Sequence, residues 1–187
     1  MPHARTGTHG FSLVELLTAM VVLALLVVLA APALRDLMAR QQVRGAGNDL
    51  VADLQVARTQ AAGSGGLVGV VALAGGWQEG WEVWPDADPD SAGFTVPADR
   101  GRLLRAHGAL PRNVRMAAIR GDSLDRVVFA ADGGAYDPQL LARATADTVF
   151  SVCKPAGGRA QAVRVTLRAS GRVESHRDDG VVGAECP

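Results

Sequence analysis

From Phe11 to Leu34 the chain reads FSLVELLTAMVVLALLVVLAAPAL, and Glu15 is the only charged residue in that run. As a helix rising about 1.5 Å per residue, such a run is long enough to cross the roughly 30 Å hydrocarbon core of a bilayer. It lacks the A-x-A cleavage site and the short apolar core of an ordinary secretory signal. A buried core helix is rarely so uniformly apolar at the start of a chain. The run predicts one membrane-inserted helix. A carboxylate at membrane depth is costly unless it is paired, so Glu15 marks a functional position. The plainer alternative is a Glu that snorkels to the interface, since it sits only about one turn inside the run.

The rest of the composition narrows the function classes. The 187 residues suffice for one globular domain and an appendage, and 48% apolar with 20% charged residues excludes a disordered chain. Basic and acidic residues balance at 19 each, which excludes a uniformly basic protein but not a local basic patch. Two cysteines exclude a disulfide-dense scaffold and a four-Cys zinc site. His3, His9, His107 and His176 form no ligand-spaced pair, so neither metal nor cofactor is predicted. Asp86, Asp88 and Asp90 have calcium-loop spacing, but Ser91 and Pro97 stand where that loop needs Gly and Glu; a solvated acidic turn is expected. Gly121-Asp122-Ser123-Leu124 spells a hydrolase tetrapeptide, yet Val173 stands three residues before His176 where the paired Asp would be needed. The chain is therefore read as a non-enzyme.

The apolar run begins directly after Gly10, and its first residues are Phe11-Ser12-Leu13-Val14-Glu15-Leu16-Leu17. This segment resembles the N-terminus of type IV pilins and pseudopilins. The resemblance implies a membrane prepilin peptidase that cuts between Gly10 and Phe11, N-methylation of Phe11, and assembly with other pilins into a fibre. It implies that Pro32 matches a proline common in these helices. Cleavage would create an α-amino cation on Phe11, the natural partner for Glu15 of a neighbouring subunit. By the positive-inside rule, Arg35, Arg40 and Arg44 outweigh Arg5 and favour a cytoplasmic domain. The resemblance implies the opposite, a single-pass protein of the bacterial inner membrane with its domain in the periplasm, and the cysteine pair fits that side. Export is the expectation.

Beyond Pro32 the helical period continues through Leu34, Leu37, Met38 and Gln41, then Leu50, Leu54, Ala57 and Ala61. Gly45 and Gly47 predict a bend or local melting, and Gly63-Ser64-Gly65-Gly66 ends the helix. Short β-patterned runs follow at 67–73, 80–84, 126–131, 148–153 and 162–167. Segment 85–112 is polar and reads as a long loop with one short strand. The fold class is α+β, a long N-terminal helix packed on an antiparallel sheet. Expected parts are a cleaved leader 1–10, a transmembrane and assembly helix 11–34, its amphipathic continuation 35–62, and a β-rich domain 63–187.

Further segments resemble the GspH/FimT family in particular. These are Trp77-Gln78-Glu79-Gly80-Trp81-Glu82-Val83-Trp84-Pro85-Asp86, Leu54 with Ala57-Arg58-Thr59-Gln60-Ala61, and Val128-Phe129 with Asp132-Gly133. Val163 to Leu167, Gly171-Arg172-Val173 and the pair Cys153 and Cys186 resemble its closing hairpin with a terminal disulfide; two free thiols are the alternative. The implied role is a minor subunit of a type II secretion pseudopilus or a type IV pilus, near the fibre tip. A second role is open. Lys154, Arg159, Arg164, Arg168 and Arg172 form an acid-free basic stretch, and Arg164 and Arg168 share one strand face. Some FimT-type pilins bind DNA for uptake through a C-terminal G-R-x-R motif. Gly171-Arg172 matches it, while Glu174 holds the fourth position. Either DNA binding or a solvated sheet face fits that row.

Overall fold

The computed structural model describes residues 12–88, 90, 93–121, 123–154 and 161–178, without the side chains of Asp36, Gln161 and Asp178. Helix α1 covers Leu13–Ser64. The chain divides between Met38 and Ala39 into two compact units.

In the first unit α1 is apolar on every side and buries nothing. Its most apolar window has a mean hydropathy of 2.8. In the second unit α1 carries apolar residues on one stripe only. Val43, Leu50, Leu54, Ala57 and Ala61 fall at helical spacing and are buried, while Asn48, Asp49 and Gln55 face solvent. Helical structure continues through Gly45 and Gly47, so the expected melting does not occur. Gly47 has a packing reason instead. A Cβ there would meet Val163 Cγ1 at 3.0 Å, so the missing side chain lets the sheet approach the helix. The helix stops where the glycines predict: Gly65 has φ 73° and donates to the Ala61 carbonyl at 3.0 Å.

The strands are β1 (Val68–Ala72), β2 (Trp81–Pro85), β3 (Arg105–His107), β4 (Arg115–Arg120), β5 (Arg126–Phe129), β6 (Ala135–Asp137), β7 (Ala142–Arg143), β8 (Thr148–Lys154), β9 (Gln161–Leu167) and β10 (Val173–Asp178). Segment 85–112 holds the one short strand expected of it, β3. Among the described residues the strands form two antiparallel sheets, the β-rich domain expected behind the long helix. The first has the order β3-β2-β1-β5-β6-β7 and the second β10-β9-β8-β4. Alternation along a strand fixes which face is apolar but not which strand lies beside it.

One core joins α1 to both sheets. Leu50, Leu54 and Ala57 from the helix meet Val70, Trp81 and Phe129 of the first sheet and Phe150, Val152 and Val165 of the second. In β9, Val163, Val165 and Leu167 are buried, whereas Arg164 and Thr166 lie on the opposite, partly exposed face. On the other face of the first sheet, Trp84, Phe94 and Val128 make a small second cluster.

Candidate functional site

Three family-like segments that lie far apart in sequence meet at one joint. Arg58 on α1 donates from Nε to the Gly133 carbonyl at 2.9 Å. Gly133 belongs to the turn between β5 and β6, where Asp132 accepts from the Gly134 amide at 2.7 Å. Gly171, in the turn between β9 and β10, presses on the same spot. A Cβ there would fall 1.8 Å from the Gly133 oxygen, and its φ of 80° is one that side chains avoid. Ala135 donates to the Ala169 carbonyl at 3.0 Å beside it. Helix, first sheet and second sheet are pinned together here, so these residues carry architecture rather than chemistry.

The tryptophan segment does the same work nearby. Trp77 donates from Nε1 to the Leu124 carbonyl at 2.7 Å and sets its ring edge-on to Phe150. Trp81 donates from Nε1 to Asp53 Oδ2 at 2.8 Å, and Arg105 Nε lies 3.0 Å from the other Asp53 oxygen. That second contact has ion-pair distance without hydrogen-bond alignment, which leaves Oδ1 with charge compensation only. Trp81 also stacks on His107 at 4.0 Å between ring centroids. The sequence reading missed Asp53 and Arg105. The signal was present, because Leu50, Asp53, Leu54 and Ala57 share one buried stripe, and a carboxylate inside it requires a polar partner.

Asp86 differs from expectation. It is buried rather than solvated, and its Oδ1 accepts from the Thr95 amide at 2.8 Å and the Thr95 hydroxyl at 3.2 Å. Two donors meet the carboxylate, so it fixes a loop. Ser123 of the hydrolase-like tetrapeptide donates to Asp125 at 2.7 Å, and Arg126 caps that carboxylate at 2.8 Å. The Arg126 hydrogen bond, with Ser123 adding to it, holds the Asp125 carboxyl below its usual range despite partial burial.

The basic row is largely neutralised where it can be described. Arg168 Nη1 lies 2.8 Å from Asp147 and Nη2 lies 3.0 Å from Glu174. Arg172 Nε lies 3.2 Å from the other Glu174 oxygen. Glu174 therefore bridges two guanidiniums, and the Arg168 hydrogen bond holds its carboxyl below the usual range. Arg164 sits opposite Ser151 and His176 on the same sheet face. Lys154 closes β8, and Arg159 lies outside the described residues. Cys153 is buried in β8 and disulfide-bonded; Cys186 lies outside the described residues.

The remaining candidates sit on the exposed part of α1. Gly10 and Phe11 lie outside the described residues. Glu15 shares an open helix face with Thr18, Ala19, Val22, Leu23 and Leu26. The Thr18 hydroxyl turns back to the Glu15 carbonyl at 2.9 Å and leaves the carboxylate alone. Among the described residues that carboxylate has no partner. Pro32 lies inside the helix, where it can donate nothing to the Val28 carbonyl. The large side chains from Leu13 to Met38 are all more than half exposed. Chains do not leave an apolar surface of that extent in water. Such a surface fits anchoring in a membrane and incorporation into a fibre.

Comparison with known proteins agrees with this geometry. The chain has the long N-terminal helix and antiparallel sheet domain of the type IV pilin fold. It is similar to two crystal structures of the type IV minor pilin FimU of Pseudomonas aeruginosa strain PAO1. One has a TM-score of 0.57 at 18% identity, covering 79% of this chain and 97% of that one. The other has a TM-score of 0.53 at 18% identity, covering 77% and 99%. No curated protein sequence matches the chain. Residues 5–31 match the prokaryotic N-terminal methylation motif, which implies prepilin-peptidase processing. Residues 46–171 match the family described as type II transport protein GspH, and the chain belongs to that family.

Proposed function

We propose that this chain is a non-enzymatic minor pilin or pseudopilin of a type II secretion pseudopilus or a type IV pilus, at or near the fibre tip. The precursor is held in the inner membrane by α1 with residues 39–187 in the periplasm. Prepilin peptidase cuts between Gly10 and Phe11, and α1 then packs among the helices of other subunits. Cys153 and Cys186 pair and tie the C-terminal tail to the second sheet. A closed loop of about 34 residues would contribute roughly 3–4 kcal/mol in the chain-entropy model. Thiol labelling of exported protein tests that pairing, and two reactive thiols would refute it.

The observation that carries the reading is the unpartnered Glu15 carboxylate on a wholly exposed apolar helix face. In a fibre the new Phe11 amine of the next subunit supplies the missing cation, and the pairing sets the register of assembly. Glu15→Ala should leave membrane insertion and leader cleavage intact and abolish recovery of the subunit in sheared fibres or in pull-downs with its partner subunits. Normal recovery would overturn the pairing.

The alternative is a FimT-like tip subunit that binds DNA for uptake through Lys154, Arg159, Arg164, Arg168 and Arg172. The shared exposed face of Arg168 and Arg172 favours it. The Glu174 and Asp147 carboxylates within 2.8–3.2 Å of these guanidiniums favour the structural role. Duplex binding by the full chain in neutral detergent, followed against salt, separates the two. Steeply salt-dependent binding that disappears in an Arg164/Arg168/Arg172→Glu variant would establish the DNA role.

A further inference from the structure

Among the described residues the arginines differ in how their charge is met. Arg100, Arg105, Arg126, Arg143, Arg168 and Arg172 each pair with a carboxylate. Arg40, Arg44, Arg112 and Arg115 make no hydrogen bond or ion pair among the described residues. They stand at one level of α1. Arg40 and Arg44 lie one turn apart on the side of the helix away from Gln42. Asn113 donates from Nδ2 to Gln42 Oε1 at 2.6 Å, so the Pro111–Val114 turn rests on the helix at that level. Arg112 and Arg115 lie on either side of that anchor. Arg40, Arg112 and Arg115 are exposed, and Arg44 is half-buried. Asp49, the next described carboxylate along α1, faces His107 at 3.4 Å. Arg35 and Arg120 likewise make no hydrogen bond or ion pair among the described residues, but Arg35 belongs to the first unit and Arg120 stands at the opposite end of β4.

This group occupies the end of the domain at which α1 enters the core, since Ala39 and Val43 are the first buried residues of the helix. The apolar run ends at Leu34, and Arg40 and Arg44 follow it within about ten residues along the chain. We infer that Arg40, Arg44, Arg112 and Arg115 form a basic collar that docks the domain on the anionic phospholipid headgroups of the membrane in which α1 is inserted. The inference rests on the reading of α1 as a membrane helix. It also accounts for arginines on the side of the helix that the positive-inside rule would leave poor in them. Their unpaired state is what lipid phosphate requires, because a guanidinium already held by a carboxylate gains little from a second anion. Each basic side chain near an anionic surface strengthens attachment by about fivefold, within a screening length of about 8 Å at physiological salt.

The test uses the full chain reconstituted in nanodiscs of phosphatidylcholine, with and without one-third phosphatidylglycerol. Amide hydrogen exchange across residues 108–116 is the readout. Phosphatidylglycerol should slow exchange in this segment at least fivefold, and 0.5 M salt should reverse the effect. An Arg40/Arg44/Arg112/Arg115→Gln variant should lose the protection, and the corresponding Lys variant should keep most of it. Equal exchange in both lipids overturns the collar while leaving membrane insertion standing. Equal protection in phosphatidylcholine by inorganic phosphate or by a DNA duplex overturns it in favour of a general anion site or a nucleic-acid site. Failure of the full chain to float with vesicles of either composition overturns the membrane reading and the collar with it.

Discussion

Leu23 and Leu54 belong to the same helix, yet Leu23 is 61% exposed and Leu54 is fully buried. Around Leu23 every neighbour on the helix is apolar, so no single face distinguishes itself and no one sheet could cover it. Around Leu54 the apolar residues keep to one stripe, and two sheets meet that stripe. The difference shows that apolarity sets a demand for burial, while its distribution around the axis sets what can meet it. The second half of α1 is completed by its own chain. The first half is left uncovered by its own chain among the described residues, as fits a membrane anchor that later packs among other helices.

The largest test of that contrast is a matched pair of truncations. Leu54→Ala should cost the full chain about 2–5 kcal/mol in urea unfolding in detergent, since a core cavity opens. Leu23→Ala should change the same transition by less than about 0.5 kcal/mol. Similar losses from both would mean that the first half of α1 also belongs to the folding unit. Next comes the polar tie within the buried half. Trp81→Phe keeps the ring but removes the donor to Asp53, and about 1–3 kcal/mol should be lost. A Trp81→Phe/Asp53→Leu double variant should recover part of that loss. Arg58→Ala removes the Nε bond to Gly133 and should cost about 1 kcal/mol, read as a lower urea midpoint.

The smallest effect concerns the exposed ion pairs on the second sheet. The Arg168 hydrogen bond, with Arg172 adding to it, depresses the Glu174 carboxyl in the folded state. The pairs therefore favour the fold above the ordinary Glu value of about 4.3 and cease to do so as pH falls through the depressed value. Between pH 5 and 3 the midpoint of Glu174→Gln should fall slightly less than that of the parent. A larger fall in the variant would reverse the assigned sign. The same substitution frees the Arg172 guanidinium and leaves Arg168 with Asp147 alone, so it should raise the affinity of a DNA-binding row.

Much of the fold was legible before any coordinates. The stripe Leu50, Leu54, Ala57 and Ala61, the glycine stop after Ser64, and the alternation of Val163, Val165 and Leu167 are local periodicities that one face of a helix or strand must satisfy. Other features depended on distant residues. Gly47 reads as a helix weakener until Val163 lies against it. Asp86 reads as a solvated turn until Thr95 supplies two donors. β4 lay partly in a polar stretch, and its place beside β8 carries no local signature, whereas the β9–β10 hairpin was marked by Gly171-Arg172-Val173. For the candidate site, Glu15 was legible because charge in an apolar run stands out by contrast. The Asp53 tie and the Glu174 bridge required partners that the sequence does not align.

The sequence by itself predicted that the first half of α1 inserts in a membrane, because a run so long and so uniformly apolar at the start of a chain is rarely a buried core helix. It also pointed to the family, because the Gly10-Phe11 motif, the apolar run and the tryptophan segment stand together in one chain. Only the tertiary structure decided which charges are already answered. A carboxylate quenches a guanidinium at 3 Å and not at 15 Å, and that separation is set by strand register and turn contacts, not by position along the chain. By that measure Arg168 and Arg172 are paired, whereas Arg40, Arg44, Arg112 and Arg115 meet no carboxylate among the described residues.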